Sequence, residues 1–346
     1  MSDNKIASES FASDNYSPVH PKVMERIAKI NKGFDKSYGF DKENELLQEN
    51  IERVFGIGQT AYLFATGTGA NVVGLSALCE RFEAVLAAEN SHINVDEGGS
   101  PERFGIKIYP IRTVDWKIDE NGVARELFGF GDQHRAQPGV LSITQSNEMG
   151  RVYSQEEITK LIKLVRPYKL RTHLDGARLA NALASSDVSA KKMVEGFDLI
   201  SLGMTKNGGL AAEALLVRDC DLKDKIQYLR KSGTQLLSKS RYIAAQFNAL
   251  LENDLWIENA NNSNLTAKYL YELLADVKGV QLVMPPEANA IFVRVDSQYL
   301  EKISEELGFY IWDRESKLVR FMTSWCSTRE GVERFVKELS ELLRNN

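Results

Sequence analysis

Short apolar runs, separated by small and polar residues, predict buried strands in the first two-thirds of the chain. The runs lie at residues 60–65, 84–88, 139–144, 169–174, 198–204 and 213–217. Amphipathic helical patterns lie between most of them. This alternation is typical of an α/β domain built on a mainly parallel sheet, in which both faces of each strand are covered by helices.

Helical patterns and their end signals frame these strands. Pro18 and Pro21 set the start of a helix predicted over residues 21–31, and Ser154 begins another with the capping-box sequence SQEE. From Asp221 the pattern changes to long helices. Two strand-like segments (VQLVM, AIFVRV), a helix, the segments FYIW and KLVRFM and a final helix complete the chain. We place a domain boundary near residue 250. It separates a large domain (1–250, with the N-terminal segment) from a small α+β domain (251–346).

Three ionisable residues lie where two of these strands end. Asp175 follows the run 169–174, Arg178 lies three positions further, and Lys206 follows the run 198–204. Because parallel strands present their carboxyl ends at one edge of a sheet, we expect these side chains to meet there. A desolvated lysine forms Schiff bases with carbonyls, and pyridoxal 5′-phosphate (PLP) is the cofactor that pairs such a lysine with a carboxylate on its ring nitrogen. Each residue alone is more often an ordinary turn residue, but the combination favours PLP.

The sequence TGTGAN at 66–71 lies between a strand and a helix predicted to reach about Phe82. Free backbone N–H groups and a hydroxyl at a helix N-terminus bind phosphate well. A dinucleotide fingerprint would require GxGxxG. Gly67 and Gly69 fit that pattern, Val72 occupies the place of the third glycine, and an acid, Glu89, follows the next strand. The turn by itself therefore leaves a nucleotide-binding protein open as an alternative.

Composition narrows the class of protein. Of the 346 residues, 43% are hydrophobic and 26% charged, as in ordinary globular proteins, and the net charge of −5 gives no reason to expect nucleic acid. No apolar run approaches the roughly 18 residues that a membrane span needs, and the first residues lack the apolar core of a secretory signal. Cys79, Cys220 and Cys326 lie far apart without CxxC spacing, and the four histidines are dispersed. We therefore expect a cytoplasmic protein without a metal site or disulfides.

With these residues in view, the chain resembles the low-specificity L-threonine aldolase family, PLP-dependent enzymes of fold type I within the β-eliminating-lyase-like group. The resemblance is nearly full length. It rests on FASDN, SYGFD, ATGTGAN, ENSHINVDEGG, ITQSNEMGRVYS, HLDGARLANA, SLGMTKNGG and VRFMTSWCSTREGVERF. The forms TKNGG and TQSNEMG differ from the commoner SKGLGAP and ENT versions and indicate a divergent bacterial branch. The resemblance implies an aspartate-aminotransferase-like large domain with a smaller C-terminal α+β domain.

The resemblance also implies roles for the residues that hold the cofactor. Lys206 corresponds to the lysine that binds PLP as a Schiff base, and Asp175 to the partner of the pyridine nitrogen. Arg178 corresponds to the arginine near the cofactor O3′ and the substrate carboxylate. The remaining assignments are His92 as the histidine stacked on the ring, Gly67 and Thr68 as the phosphate cup, and Thr205 as an extra phosphate donor.

For the substrate, the resemblance implies that Ser13 and Arg320 clamp the carboxylate. His134 corresponds to a second active-site histidine, so the base for the β-hydroxyl is His92, His134 or a water held by one of them. Arg230 and Lys231 match, loosely, basic residues close to the phosphate or a neighbouring subunit. Family members form dimers or tetramers with shared sites, and we expect the same here.

The implied reaction is retro-aldol cleavage of L-threonine or L-allo-threonine to glycine and acetaldehyde. A β-eliminating lyase on the same scaffold would share nearly every one of these residues and stays the alternative.

Overall fold

The computed structural model describes residues 9–56 and 58–345. A seven-stranded sheet forms the centre of the larger unit, in the order β1-β7-β6-β5-β4-β2-β3. Strands β2 to β6 run parallel to one another, and β7 runs antiparallel to both of its neighbours. The predicted mainly parallel sheet is confirmed. Its strands are β1 (Thr60–Phe64), β2 (Glu83–Ala88), β3 (Lys107–Ile111), β4 (Gln137–Thr144), β5 (Arg171–Gly176), β6 (Leu199–Gly203) and β7 (Glu213–Val217).

Helices cover both faces of this sheet. They are α1 (Pro21–Ile30), α2 (Lys42–Phe55), α3 (Gly67–Leu78), α4 (His92–Val95), α5 (Ser100–Arg103), α6 (Glu120–Glu126), α7 (Gln155–Val165), α8 (Leu179–Ala184), α9 (Ala190–Met193), α10 (Cys220–Ser232) and α11 (Arg241–Leu251). Short 3₁₀ turns are η1 (Asp14–Tyr16), η2 (Arg166–Tyr168), η3 (Thr205–Asn207) and η4 (Glu252–Asp254). In β7, Leu215 packs in the core with α3 and α10, and Leu216 in the core on the other face. Burial on both faces explains why these strands are continuously apolar in sequence.

The last quarter of the chain contains a four-stranded antiparallel sheet in the order β10-β11-β9-β8. Its elements are α12 (Leu255–Leu274), β8 (Val280–Leu282), β9 (Ala290–Val295), α13 (Leu300–Leu307), β10 (Tyr310–Asp313), β11 (Leu318–Met322) and α14 (Arg329–Asn345). Phe11, from the N-terminal segment that the sequence assigned to the large domain, packs in the core of this smaller unit. The N–H of Met322 donates to the Phe11 carbonyl at 2.8 Å. The start of the chain therefore contributes to the smaller unit.

Two local expectations differ from the structure. The helix after the TGTGAN turn ends at Leu78 and not near Phe82, because Cys79 already has extended backbone angles that lead into β2. Residues 106–130 alternate only weakly between apolar and polar positions, which predicts short strands and a variable loop, but helix α6 lies within them. Asp119 caps this helix by accepting from the Gly122 N–H at 2.7 Å. Only Val123 is buried, so the apolar periodicity of α6 is too weak to identify it.

Two further expectations concern the helices. The capping box at Ser154 and Glu157 is present as predicted. Among the helices of the described residues, none combines the length and the apolar character that crossing a membrane requires.

Candidate active site

The carboxyl edge of the large sheet forms a cavity of about 290 Å³. Parallel pairing places Thr144, Asp175 and Ser201 side by side across β4, β5 and β6, and all three line it. The N-terminus of α3 and the amino end of β7 close one side. The cavity brings together seven of the sequence-predicted residues: Gly67, Thr68, His92, Asp175, Arg178, Thr205 and Lys206.

Asp175 lies near the end of β5 and is buried. Its Oδ1 accepts from the Ala177 N–H at 3.0 Å, and its Oδ2 accepts from the Asn71 side-chain amide at 3.0 Å. Asn71 lies one turn beyond Gly67 in α3, so one helix carries both a partner of the acid and the phosphate-binding turn. The carboxylate is held in one orientation and retains lone pairs for a ring N–H.

Lys206 follows β6 in the 3₁₀ turn η3. The turn is fixed because the Asn207 side chain donates to the Trp256 carbonyl at 2.7 Å and Asn259 donates to the Asn207 carbonyl at 2.9 Å. The positive charge of Arg178 and burial both lower the pKa of Lys206. A larger fraction of this amine is therefore neutral and nucleophilic than of an exposed lysine.

His92 begins the short helix α4 and is held by two buried acids. Its Nδ1 lies 3.0 Å from Oε1 of Glu97, and its backbone N–H donates to Oε1 of Glu148 at 2.7 Å. Asn71 also donates to Glu97, at 3.1 Å. The hydrogen bond with Glu97 raises the pKa of His92. When His92 is neutral, this bond keeps the proton on Nδ1 and leaves Nε2 as an acceptor.

The turn at the start of α3 is shaped as an anion cradle. The Thr66 hydroxyl caps the helix by accepting from the Gly69 N–H at 3.1 Å. The N–H groups of Gly67 and Thr68 precede the first intrahelical hydrogen bonds and so remain free. The Gln235 side chain packs so closely that a β-carbon on Gly69 would lie 2.5 Å from it. The end of the Gln235 side chain would have to move to accommodate a larger residue at position 69. The free N–H groups of the turn fit a phosphate.

Arg178 forms an ion pair that the sequence did not indicate. Its Nε and Nη2 donate to the two carboxylate oxygens of Asp14 at 2.7 and 2.9 Å. The Asn289 side chain donates to the same carboxylate at 3.1 Å. Burial alone would raise the pKa of Asp14, but Arg178 outweighs it and the pKa is lowered. The pair joins the large sheet to the N-terminal segment, and it occupies most of the Arg178 fork.

Arg320, in contrast, has no acidic partner among the described residues. It lies on β11 with its guanidinium carbon 4.8 Å from the ring centre of Trp312, and its Nε is buried without a hydrogen bond. Burial, and then the charge of Arg178, lower the pKa of Arg320 to about 10. Ser13, also buried, caps η1 by accepting from the Asn15 N–H at 3.2 Å. Its hydroxyl proton remains available to a further acceptor.

The structure does not bring His134 into this site within one chain. His134 is exposed in the loop before β4, where its N–H donates to Asp132 at 3.0 Å. That loop lies at the amino end of β4, whereas Thr144, at the carboxyl end, lines the cavity. The length of strand β4 therefore separates His134 from the cavity that His92 lines.

The basic residues Arg230 and Lys231 end helix α10 outside the cavity lining. The Arg230 guanidinium lies over the Tyr62 ring, 5.3 Å from its centre, and burial lowers its pKa. Lys231 is exposed. Their loose match to residues near the phosphate stays a prediction.

Sequence reasoning missed five polar residues at the site: Asp14, Asn71, Glu97, Glu148 and Glu213. All but Glu213 lie inside motifs that carried the resemblance. Their types and spacing had no distinguishing pattern, and most of them act through a partner distant in sequence. The burial of so many acids around one cavity is visible only in the folded chain.

Comparisons with known proteins agree with this geometry. The family model described as β-eliminating lyase matches residues 10–298. The low specificity L-threonine aldolase of Pseudomonas aeruginosa is 32% identical over 336 residues, which cover 96% of this chain and 97% of that protein. The solved structure of Leishmania major threonine aldolase superimposes with a TM-score of 0.90 at 26% identity, covering 96% of this chain and 99% of that one.

The fold is shared more widely. Aspartate aminotransferase from Thermus thermophilus superimposes with a TM-score of 0.70 at 15% identity, covering 96% of this chain and 90% of that one. The predicted fold type I is therefore confirmed. Given the family match over most of its length and the near-complete alignment with the Pseudomonas enzyme, this chain belongs to the β-eliminating lyase family, among its low-specificity L-threonine aldolases.

Proposed function

We propose that this chain is a PLP-dependent aldehyde-lyase that cleaves L-threonine, L-allo-threonine and related β-hydroxy-α-amino acids to glycine and an aldehyde. The observation that carries the proposal is that Lys206 and Asp175 lie in one cavity with the free N-terminus of α3. Those three features match the aldehyde, ring nitrogen and phosphate of PLP. The names of the relatives support the choice of reaction.

The residues present fit PLP. The N–H groups of Gly67 and Thr68, with the Thr68 hydroxyl, would hold its phosphate, and Asp175 would pair with its ring nitrogen. Lys206 would bind its aldehyde carbon, and His92 would cover the ring. When bound, PLP supplies a ring that accepts the electrons left at Cα when a bond there breaks.

We assign the substrate carboxylate to Arg320, assisted by the Ser13 hydroxyl. Two donors of Arg178 are already paired with Asp14. The guanidinium of the partly buried Arg320 has no acidic partner among the described residues, and its buried Nε has no hydrogen bond. A buried charge without a partner is unfavourable, so an incoming carboxylate is stabilised there. A planar fork also fixes the orientation of the carboxylate, and this sets which bond at Cα stands perpendicular to the cofactor ring.

We assign deprotonation of the β-hydroxyl to His92, acting through Nε2 directly or through one water. His92 lies in the cavity and is oriented by Glu97, whereas His134 of the same chain is at the other end of β4. Because a base must be unprotonated, His92 acts only above its raised pKa, and the rate should fall as the pH falls through that value.

Two alternatives are tested by different observations. A β-eliminating lyase would use the same residues but release ammonia and a keto acid. A dinucleotide-binding protein would need the acid after β2, but Glu89 lies outside the cavity lining and is engaged by the Thr113 N–H at 3.0 Å. It would also leave Lys206 and Asp175 without a role.

Product analysis is the test of the proposed reaction. The purified chain, supplied with PLP and L-threonine, should release glycine and acetaldehyde in equal amounts, and L-allo-threonine should serve as well. Ammonia and a keto acid as the main products would establish the β-elimination alternative. If the protein binds PLP but releases neither set of products, both the aldolase proposal and the β-elimination alternative are overturned.

We also propose a homodimer or homotetramer with shared sites. Phe34 and Phe40 are both largely exposed in the loop between α1 and α2, and such a pair of large apolar side chains supports burial against another copy. Size-exclusion chromatography with light scattering would measure the mass of the assembly. The cytoplasmic location stays a prediction.

A further inference from the structure

A buried carboxyl without an assigned role lies at the phosphate end of the cavity. Glu213 is the first residue of β7, and the antiparallel pairing of β7 with β6 places it opposite Gly203 at the active edge. Its side chain is 9% exposed. Oε1 accepts from the Thr205 hydroxyl, and the Thr205 oxygen in turn accepts from the Ala212 N–H at 3.0 Å. The single hydroxyl proton of Thr205 is therefore committed to Glu213.

The other oxygen of Glu213 points toward the anion cradle. The hydrogen bonds to the Glu213 carboxyl come from Thr205, through its hydroxyl and its backbone N–H. Oε2 lies 3.7 Å from where a β-carbon on Gly67 would stand, and 2.9 Å from the corresponding point on Gly203. Gly67 is the first residue of α3, and its free N–H group faces the phosphate position. Oε2 of Glu213 thus stands beside the place assigned to the cofactor phosphate.

The charges around Glu213 are few. Lys206 on η3 and Asp175 on β5 are the charged side chains that influence it. Strand β1 and helix α3, packed on its other sides, contribute no ionisable side chain to the cavity lining. Burial raises the pKa of Glu213 to about 7, whereas Thr205 and Lys206 act to lower it. Near neutral pH the group already holds a proton in part of the molecules.

A phosphate in the cradle changes this balance. The phosphate carries about −1.5 to −2 charges at neutral pH, which would repel an ionised carboxylate beside the cradle. The neighbouring cation, Lys206, is at the same time engaged by the cofactor. Both changes favour the neutral carboxyl, whose O–H group is a donor that a phosphate oxygen accepts.

We propose that Glu213 carries a proton when a phosphate occupies the cradle and donates a hydrogen bond from Oε2 to it, so that binding of the cofactor phosphate takes up one proton. The inference rests on the proposed placement of the phosphate at Gly67 and Thr68. Glu213 would then be a cofactor-binding residue that makes retention of the cofactor sensitive to pH.

The sign of the pH dependence follows from proton linkage. The bound form holds the proton more tightly than the free form, so binding needs proton uptake only above about pH 7, where the free carboxyl is ionised. Affinity should therefore be level below that pH and should fall above it, by up to about tenfold per pH unit.

The experiment uses pyridoxamine 5′-phosphate, which has the ring and the phosphate of PLP but no aldehyde to react with Lys206. Binding to the full-length apoprotein is measured by calorimetry near pH 8 in buffers of different ionisation enthalpy, which counts the protons taken up. We expect Glu213→Gln, which has the same shape but no charge, to take up close to one proton fewer than the unaltered chain. Its affinity should also lack the additional fall above about pH 7.

Two further variants make the result specific. Glu148→Gln removes another buried acid of the same cavity, which lies beside His92 and whose pKa is also raised. This variant should take up as many protons as the unaltered chain when it binds the cofactor. Thr205→Val removes the hydrogen bond that lowers the pKa of Glu213, so the fall in affinity should begin at a higher pH. This variant keeps the test valid if Glu213→Gln folds poorly.

Equal proton uptake by Glu213→Gln and the unaltered chain would overturn the inference, as would loss of the extra uptake in Glu148→Gln. In either case the proposed function stands as long as the protein binds PLP and cleaves L-threonine. Failure of the protein to bind either cofactor form would instead overturn the proposed function.

Discussion

The two sides of the active site differ in how their charges are compensated. At the edge of the large sheet, Asp175 and His92 each have partners that fix their position, namely Asn71 and Glu97. On the smaller sheet, the partly buried Arg320 has no acidic partner in the described part of the chain, and its buried Nε has no hydrogen bond. A paired, rigid set suits a cofactor that stays bound. An unpaired cation suits a carboxylate that enters and leaves with each turnover.

The ion pair between Arg178 and Asp14 connects these two sides. Arg178 follows β5 of the large sheet, and Asp14 follows the segment that packs on the smaller unit through Phe11. The pair therefore holds the N-terminal segment, with Ser13, over the cavity. The comparison predicts that substitutions on the large sheet affect the chemistry, and that substitutions at Arg320 affect substrate binding.

The largest effect is expected for Lys206→Ala. Without the amine no covalent link to the cofactor aldehyde forms, and turnover should be abolished. Cofactor should still bind, because Asp175 and the Gly67 turn do not depend on Lys206. Activity assays and the cofactor absorbance of the same sample check both parts. Full activity in this variant would contradict the PLP assignment, and Lys163→Ala, which changes an exposed lysine on helix α7 outside the cavity, serves as the control.

Asp175→Asn should retain the fold and lose most of the rate. An amide cannot stabilise a protonated pyridine ring, and removing one such electrostatic partner from a closed site costs roughly 10²-fold or more in kcat. Steady-state kinetics measure the loss, and circular dichroism checks the fold. A kcat within a few-fold of the original would show that Asp175 is only structural.

Arg320→Lys should raise KM and lower kcat, with a loss of roughly tenfold or more in kcat/KM, since hydrogen bonds to charged groups contribute about 1.5–3 kcal/mol. A lysine keeps the charge but not the planar fork that orients the carboxylate. Arg294→Lys is a matched control, because Arg294 is an exposed arginine on the neighbouring strand β9. Unaltered kinetics in Arg320→Lys would move the carboxylate site to Arg178 and Ser13.

The smallest effect is expected for Glu97→Gln, and it is a shift in pH dependence. The hydrogen bond with Glu97 raises the pKa of His92, so removing the charge should lower that pKa. The acid limb of the kcat/KM profile should then move to lower pH, because His92 stays unprotonated there. A profile that does not move, measured on L-threonine, would show that another group is the base.

The sequence alone was sufficient to predict the site residues that lie at strand ends. Asp175 and Lys206 could be predicted because parallel topology alone places two strand ends at one edge, and the Gly67 turn because it lies between a strand and a helix. Arg320 followed from the resemblance to a family and not from its pattern. Asp14 could not be predicted, since its partner, Arg178, is distant in the chain.

Elements with weak local signals were also missed. Helix α6 buries a single apolar residue, so no periodicity marked it. Phe11 was assigned to the larger unit from its position in the chain, whereas it packs in the other core. His134 was included as a site residue by resemblance, and only the course of β4 shows that the two histidines of one chain lie at different ends of the strand.

The central claim is that cofactor binding and substrate binding belong to different sides of the cavity. Titration of PLP-loaded Arg320→Lys with glycine, followed by the cofactor absorbance, tests it most directly, because glycine has the carboxylate of the substrate but no β-hydroxyl. We predict a dissociation constant for glycine at least about tenfold higher than in the unaltered chain, with unchanged PLP content. An unchanged affinity for glycine, or loss of PLP from this variant, would contradict the account.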